Sequence, residues 1–291
     1  MKKRIWLLPA LTAILAGATI AQAQEMMGPP KVLVITREVE KVGKSRAHEA
    51  NEHAWAAATG KANAAPYIAV NAITGVPREL FLSGFDSMAA WEKDTMSLDK
   101  NAAYQAAIAS IQAKENDLLN ETSTGVFLYS PDTSYSPPNE TPIPQMRYFM
   151  ISSISIKPGH GDHYNEIRKM IKAAHEKAGM TDGYVMYHMV SGGPTNFYLL
   201  FVPLKSLADL DGYAALHQNQ AYRDAVGDEG RKKIEEFQSQ YVESAETQIF
   251  AFNPKMSNTP KDWIKADPDF WAPKMAAPAK PKAAAKETPK P

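Results

Sequence analysis

The chain repeats itself, and a repeat of this length decides architecture before any single residue does. Lys31-Val-Leu-Val-Ile-Thr-Arg-Glu-Val-Glu40 reads as a strand that turns at Lys41-Val-Gly-Lys44 into a helical stretch from Ser45 to about Thr59. Arg147-Tyr-Phe-Met-Ile-Ser-Ser-Ile-Ser-Ile156 reads likewise and turns at Lys157-Pro-Gly-His160 into a helix from about Asp162 to Lys177. A Tyr-bearing strand follows each helix, Pro66-Tyr-Ile-Ala-Val70 and Gly183-Tyr-Val-Met-Tyr187. A glycine turn then leads to a third strand, Glu79-Leu-Phe-Leu82 or Asn196-Phe-Tyr-Leu-Leu-Phe-Val202. Ala103-Tyr104-Gln-Ala-Ala107 matches Ala221-Tyr222-Arg-Asp-Ala225 at the head of each second long helix. Gly125-Val-Phe-Leu-Tyr129 and Gln248-Ile-Phe-Ala-Phe252 close the halves. These landmarks keep their order at a spacing of about 118 residues, as a duplicated unit does.

Each half is expected to be a β-α-β-β-α-β unit of ferredoxin-like type, in the α+β class. Tyr164, Ile167, Met170, Ile171 and Ala174 share one helical face, as do Tyr104, Ile108, Ile111 and Leu118 in the first half. The predicted boundaries are 24–135 for the first repeat, 136–144 for a linker, 145–256 for the second repeat, 257–273 for an aromatic strap and 274–291 for a tail. Ser130 to Pro144 holds five Pro, which suits a connection between units. A four-stranded sheet with helices on one face leaves the other bare, and two such sheets in one chain bury those faces against each other. The expected product is one pseudo-symmetric body.

The ends differ from this body. Lys2-Lys3-Arg4, an apolar run from Ile5 to Ile20 and Ala21-Gln22-Ala23 make a secretory leader with cleavage before Gln24, so the mature protein is expected in the periplasm or secreted, without an integral membrane span. The absence of Cys excludes a lipid anchor, a disulfide scaffold and Cys-ligated metal. The formal charge is zero, but leader and tail carry eight of the 32 basic residues and one of the 32 acids. An acidic body remains, which argues against nucleic acid as a partner. From Pro273 onward Ala, Pro and Lys dominate, a composition expected to be disordered and suited to contact with envelope polyanions.

Three features resemble the dimeric α+β barrel superfamily, which includes antibiotic-biosynthesis monooxygenase-like and NIPSNAP-like families. They are the Lys157-Pro-Gly-His160-Gly-Asp-His163-Tyr entry to a helix, the third strand feeding a short helix, and Ala215-Leu-His217-Gln-Asn-Gln-Ala-Tyr222. The resemblance is one of pattern over residues 30–255. It implies a barrel that other members assemble from two chains and this chain forms from two repeats, as a monomer with an internal pseudo-dimer or a higher homo-oligomer. It also implies a pocket-facing His at His217, and the superfamily includes haem-degrading relatives.

Chemistry is less legible. There is no Gly-rich phosphate loop, no H-E-x-x-H and no G-x-S-x-G. His48 and His53 lie five apart, about 140° around a helix, too far for one metal. His160 and His163 flank Asp162, a natural N-cap, in what reads as a surface turn, and His175 suits a helix C-terminus. Alternation places Tyr184, Met186 and His188 on one strand face, with Tyr187 and Met189 on the other. The candidate ligand-binding residues are therefore Tyr184, Met186, His188, His217 and Trp91, with His188 and His217 the candidate catalytic residues. No metal and no obligatory cofactor is expected, haem being the one the resemblance admits. With 12 Tyr, 10 Phe, 5 Trp and 13 Met, the chain is read as an exported α+β barrel that binds a small apolar or aromatic molecule. The alternatives are a cofactor-independent monooxygenase-like oxidoreductase, a haem-handling protein, and a non-catalytic envelope scaffold.

Overall fold

A computed structural model describes residues 28–138, 140–212 and 219–272; the leader, His217 and the tail from 274 lie outside the described residues. Alternation along β1 (Val32–Glu40) divides its side chains between two environments. Leu33 and Ile35 join one buried cluster, whereas Val32 and Val34 join another on the opposite face. The same division runs through β2 (Tyr67–Ala72), β3 (Glu79–Phe85), β4 (Leu119–Tyr129), β5 (Tyr148–Ile156), β6 (Val185–Ser191), β7 (Phe197–Leu204) and β8 (Val242–Phe252). All neighbours are antiparallel and the sheet closes in the order β1-β3-β2-β8-β5-β7-β6-β4. The first four strands thus lie as β4-β1-β3-β2 and the last four as β8-β5-β7-β6, the same order twice. This is a mixed α+β fold around a closed eight-stranded barrel, the architecture that the resemblance implies.

Two seams join the halves. β2 pairs with β8 from Val70↔Phe252 to Ala72↔Phe250, and β4 pairs with β6 from Val126↔Ser191 to Tyr129↔Tyr187. The bare faces therefore meet by edge pairing into a wall around one lumen, not as two flat sheets, and closure removes every open edge. Phe127, Ile151, Leu199, Phe201 and Phe250 fill much of that lumen.

Helices cover the outside. α1 (Ser45–Lys61) packs with α3 (Ala102–Leu118) over the first half, and α2 (Met88–Asp99) precedes α3. α4 (Gly161–Ala178) packs with α5 (Gln220–Tyr241) over the second half. The Asn101 side chain accepts from the Tyr104 N–H and the Asn219 side chain from the Tyr222 N–H, so the repeated Tyr heads are capped alike. The cap of α4 differs from expectation. His160 takes the N-cap position without a side-chain bond, and Asp162 sits inside the first turn, where a carboxylate still complements the helix dipole.

β4 and β8 are longer than the apolar pattern suggests, because Leu119–Thr124 and Val242–Thr247 carry mainly exposed polar side chains that alternation of hydrophobicity cannot mark. The Pro-rich connection is also tied down. Tyr135 bridges to Tyr184 and its hydroxyl donates to the Met180 carbonyl at 2.7 Å. Past β8, α6 (Lys261–Ala266) and α7 (Pro268–Trp271) carry Trp263, Phe270 and Trp271 onto the lumen cluster. Trp271 is 3% exposed and its indole N–H donates to the Pro144 carbonyl at 2.7 Å. Arg147 bonds Asp267 and lies 4.0 Å above the Phe270 ring. The aromatic strap plugs one end of the barrel.

Candidate functional site

The other end of the barrel is open. A cavity of about 400 Å³ runs into the lumen there, floored by Ile35, Leu80, Phe127, Leu199 and Phe250. Arg37 and Arg78 stand at its mouth with Glu246 and Gln248. Arg37 reaches Glu121, and Arg78 reaches Glu246 at 3.5 Å, yet each guanidinium keeps a buried Nε without a hydrogen-bond partner. Burial, then the neighbouring Arg37, lowers the Arg78 pKa from its ordinary value. Two adjacent guanidinium groups above an apolar floor fit an amphipathic molecule whose acidic group stays at the mouth. Gln248 is held across a seam, its Nε2 donating to the Thr74 carbonyl at 2.9 Å.

The residues singled out from the sequence are not gathered at this cavity. On β6 the lumen side is occupied by Tyr187 and Met189, while Tyr184 and Met186 pack under α4 and α5. His188 lies on that same outer face, half-buried, with Nδ1 3.1 Å from the Ser130 hydroxyl, and burial lowers its pKa. Trp91 packs from α2 onto Val32, Val34, Phe85 and Val126. The structure brings Tyr184 and Met186 into one cluster and keeps Trp91 in another.

A second arrangement lies on the helix side of the first half. α1 buries His48, Asn51, Glu52, Ala56 and Thr59, a stripe with helical spacing and almost no hydrocarbon. His48 is 1% exposed, and its Nε2 is 2.8 Å from Glu38 Oε2 and 3.8 Å from Glu52 Oε1. Its Nδ1 is 3.9 Å from Glu79 Oε2. Burial, then the charge on Glu38, pushes the Glu52 pKa up to about 8. Burial also raises Glu79 to about 7 and Glu115 to about 7. Burial opposes protonation of His48, but the bond to Glu38 and the charges of Glu52, Glu38 and Glu79 outweigh it and raise its pKa. Comparing His48 with His53 along one helix missed this group, because Glu38 and Glu79 come from β1 and β3 and the i,i+4 partner Glu52 is a carboxylate, not a His. Its trace in the sequence is a pair of Arg-Glu dipeptides, Arg37-Glu38 and Arg78-Glu79, in which alternation sends each Arg to the lumen and each Glu outward.

Among the described residues that line the barrel cavity there is no imidazole, and Met189 is the one sulfur-bearing side chain.

No family model matches the chain, and no curated protein does. Solved structures share its outline at low identity. A monooxygenase candidate from Fusobacterium nucleatum is 11% identical, with 78% of this chain and 94% of that one covered and a TM-score of 0.49. An anthrone oxidase-like protein is 12% identical, with 76% and 91% covered and a TM-score of 0.48. A chlorite dismutase variant from Candidatus Nitrospira defluvii is 9% identical, with 83% and 98% covered and a TM-score of 0.47. At such distances function is read from the residues of the site.

Proposed function

We propose that this chain is an exported tandem of two ferredoxin-like units whose shared barrel binds a small, mainly apolar molecule bearing an acidic group. The observation that carries the binding reading is the cavity, apolar at its floor and rimmed by Arg37 and Arg78. The strand order repeated in the two halves supports the tandem, and the leader supports export. Among the described residues no helix is long and apolar enough to cross a membrane.

Calorimetric titration with 1-naphthoate and with its methyl ester tests the reading on the full mature chain. The acid is expected to bind at one site, and Arg78→Gln to weaken it by roughly 10-fold or more, the scale of a lost charge-assisted hydrogen bond. The ester is expected to bind weakly and to be indifferent to that substitution. Equal binding of acid and ester, or an Arg78→Gln variant that binds the acid as the parent does, would remove the proposed role of the mouth.

A further inference from the structure

Glu38, His48, Glu52 and Glu79 are not demanded by the fold, because the second half fills the same places otherwise. Glu38 faces Glu79 across the β1–β3 ladder as Ile154 faces Tyr198 across β5–β7. Tyr164 and Arg168 occupy on α4 the places that His48 and Glu52 occupy on α1, counted from the paired lysines Lys41 and Lys157 that open each turn. There Tyr164 and Tyr198 pack with ring centroids 4.6 Å apart and Arg168 lies 4.9 Å above the Tyr184 ring. Aromatic rings with one cation therefore serve this position, and a buried set of like charges is the costlier choice.

The first half sets three carboxyl groups against a single imidazole. Glu38, Glu52 and Glu79 are 7%, 3% and 4% exposed, and among the described residues their ion pairs all run to His48. Glu52 Oε1 and Glu79 Oε2 are buried with no hydrogen-bond partner, and both point at the imidazole. Buried carboxyl oxygens without partners are satisfied by a proton or by a cation. One ligand atom each from Glu38, His48 and Glu52 lies within 4.8 Å of the others. Donors around a tetrahedral ion stand roughly 3.4 Å apart, so a small closure brings these three to ligand spacing and leaves the fourth position to water.

We propose that the space between β1, β3 and α1 is a divalent-cation site, with His48 Nε2, Glu38 and Glu52 as ligands and Glu79 orienting the imidazole through Nδ1. The cation takes the place of the proton shared by Glu38 and His48, and Glu79, 3.9 Å from Nδ1, is the carboxylate placed to close on that nitrogen and fix the tautomer of a ligating imidazole. One imidazole with carboxylates selects a first-row transition ion such as Zn²⁺ or Mn²⁺ over Ca²⁺ or Mg²⁺. The site lies across the barrel wall from the lumen and stands whether or not the lumen binds an organic acid.

The test uses the full mature chain, stripped with chelator and titrated with Zn²⁺, then with Co²⁺ to read visible absorption of the bound ion. One equivalent should bind and raise the melting temperature. Glu52→Gln should abolish the Co²⁺ spectrum, Glu79→Gln should weaken binding by roughly 10–100-fold while leaving one equivalent, and Arg78→Gln should change neither. Melting of the stripped variants shows that they fold. No binding at 1 mM Zn²⁺, or binding that Glu52→Gln leaves intact because it occurs at His160 and His163, would overturn the proposal.

Discussion

Arg37 and Glu38 are neighbours in the chain and stand on opposite sides of the barrel wall, and so do Arg78 and Glu79. Single residues thus place cationic donors in the lumen and anionic acceptors beneath α1. Little of this was legible beforehand. The sequence shows which face a residue shares, as it did for Tyr184, Met186 and His188, but not which face meets a cavity. His48 gained its meaning from strands that are ten and more residues away. Gly192 shows how closely the β6–β7 turn approaches β4. Its φ is 90°, and a Cβ there would stand 2.2 Å from the Thr124 carbonyl oxygen, whereas Gly159, at φ 84°, faces open space. Gly192→Ala is expected to cost about 2–4 kcal/mol in urea unfolding and Gly159→Ala only about 1–2 kcal/mol. Equal costs would contradict the close approach.

At the scale of elements, α1 and α4 occupy matching positions with opposite chemistry. α4 announces itself by Tyr164, Ile167 and Ala174, which are buried as the periodicity predicts. The buried stripe of α1 is polar, so its helix was legible and its burial was not. The strap was legible for the opposite reason: two Trp and one Phe in a short stretch leave few alternatives to docking. Trp271→Ala is expected to cost about 3–5 kcal/mol, since it empties a fully packed site and strands the Pro144 carbonyl. A loss under about 1 kcal/mol in thermal unfolding would show that the strap does not seal the barrel.

At the scale of the molecule, the expected burial of two bare faces agrees with a shared interior, although the strands meet by edge pairing and not face to face. What the repeat could not show is how they meet, because edge pairing at Val70↔Phe252 and Phe127↔Met189 depends on chain segments with no local preference for each other. Closure makes each half the missing wall of the other. Halves 24–135 and 145–256 expressed alone are expected to self-associate or precipitate, each exposing an apolar face beyond the few hundred Å² that monomers tolerate, and to recover a 1:1 complex when mixed. Two soluble monomeric halves would speak against this. The most direct test of the closed barrel is a calorimetric scan of the full chain. A barrel sealed at both seams and plugged by Trp271 should melt in one transition, with calorimetric and van't Hoff enthalpies equal. Two separable transitions, each matching one half, would contradict it.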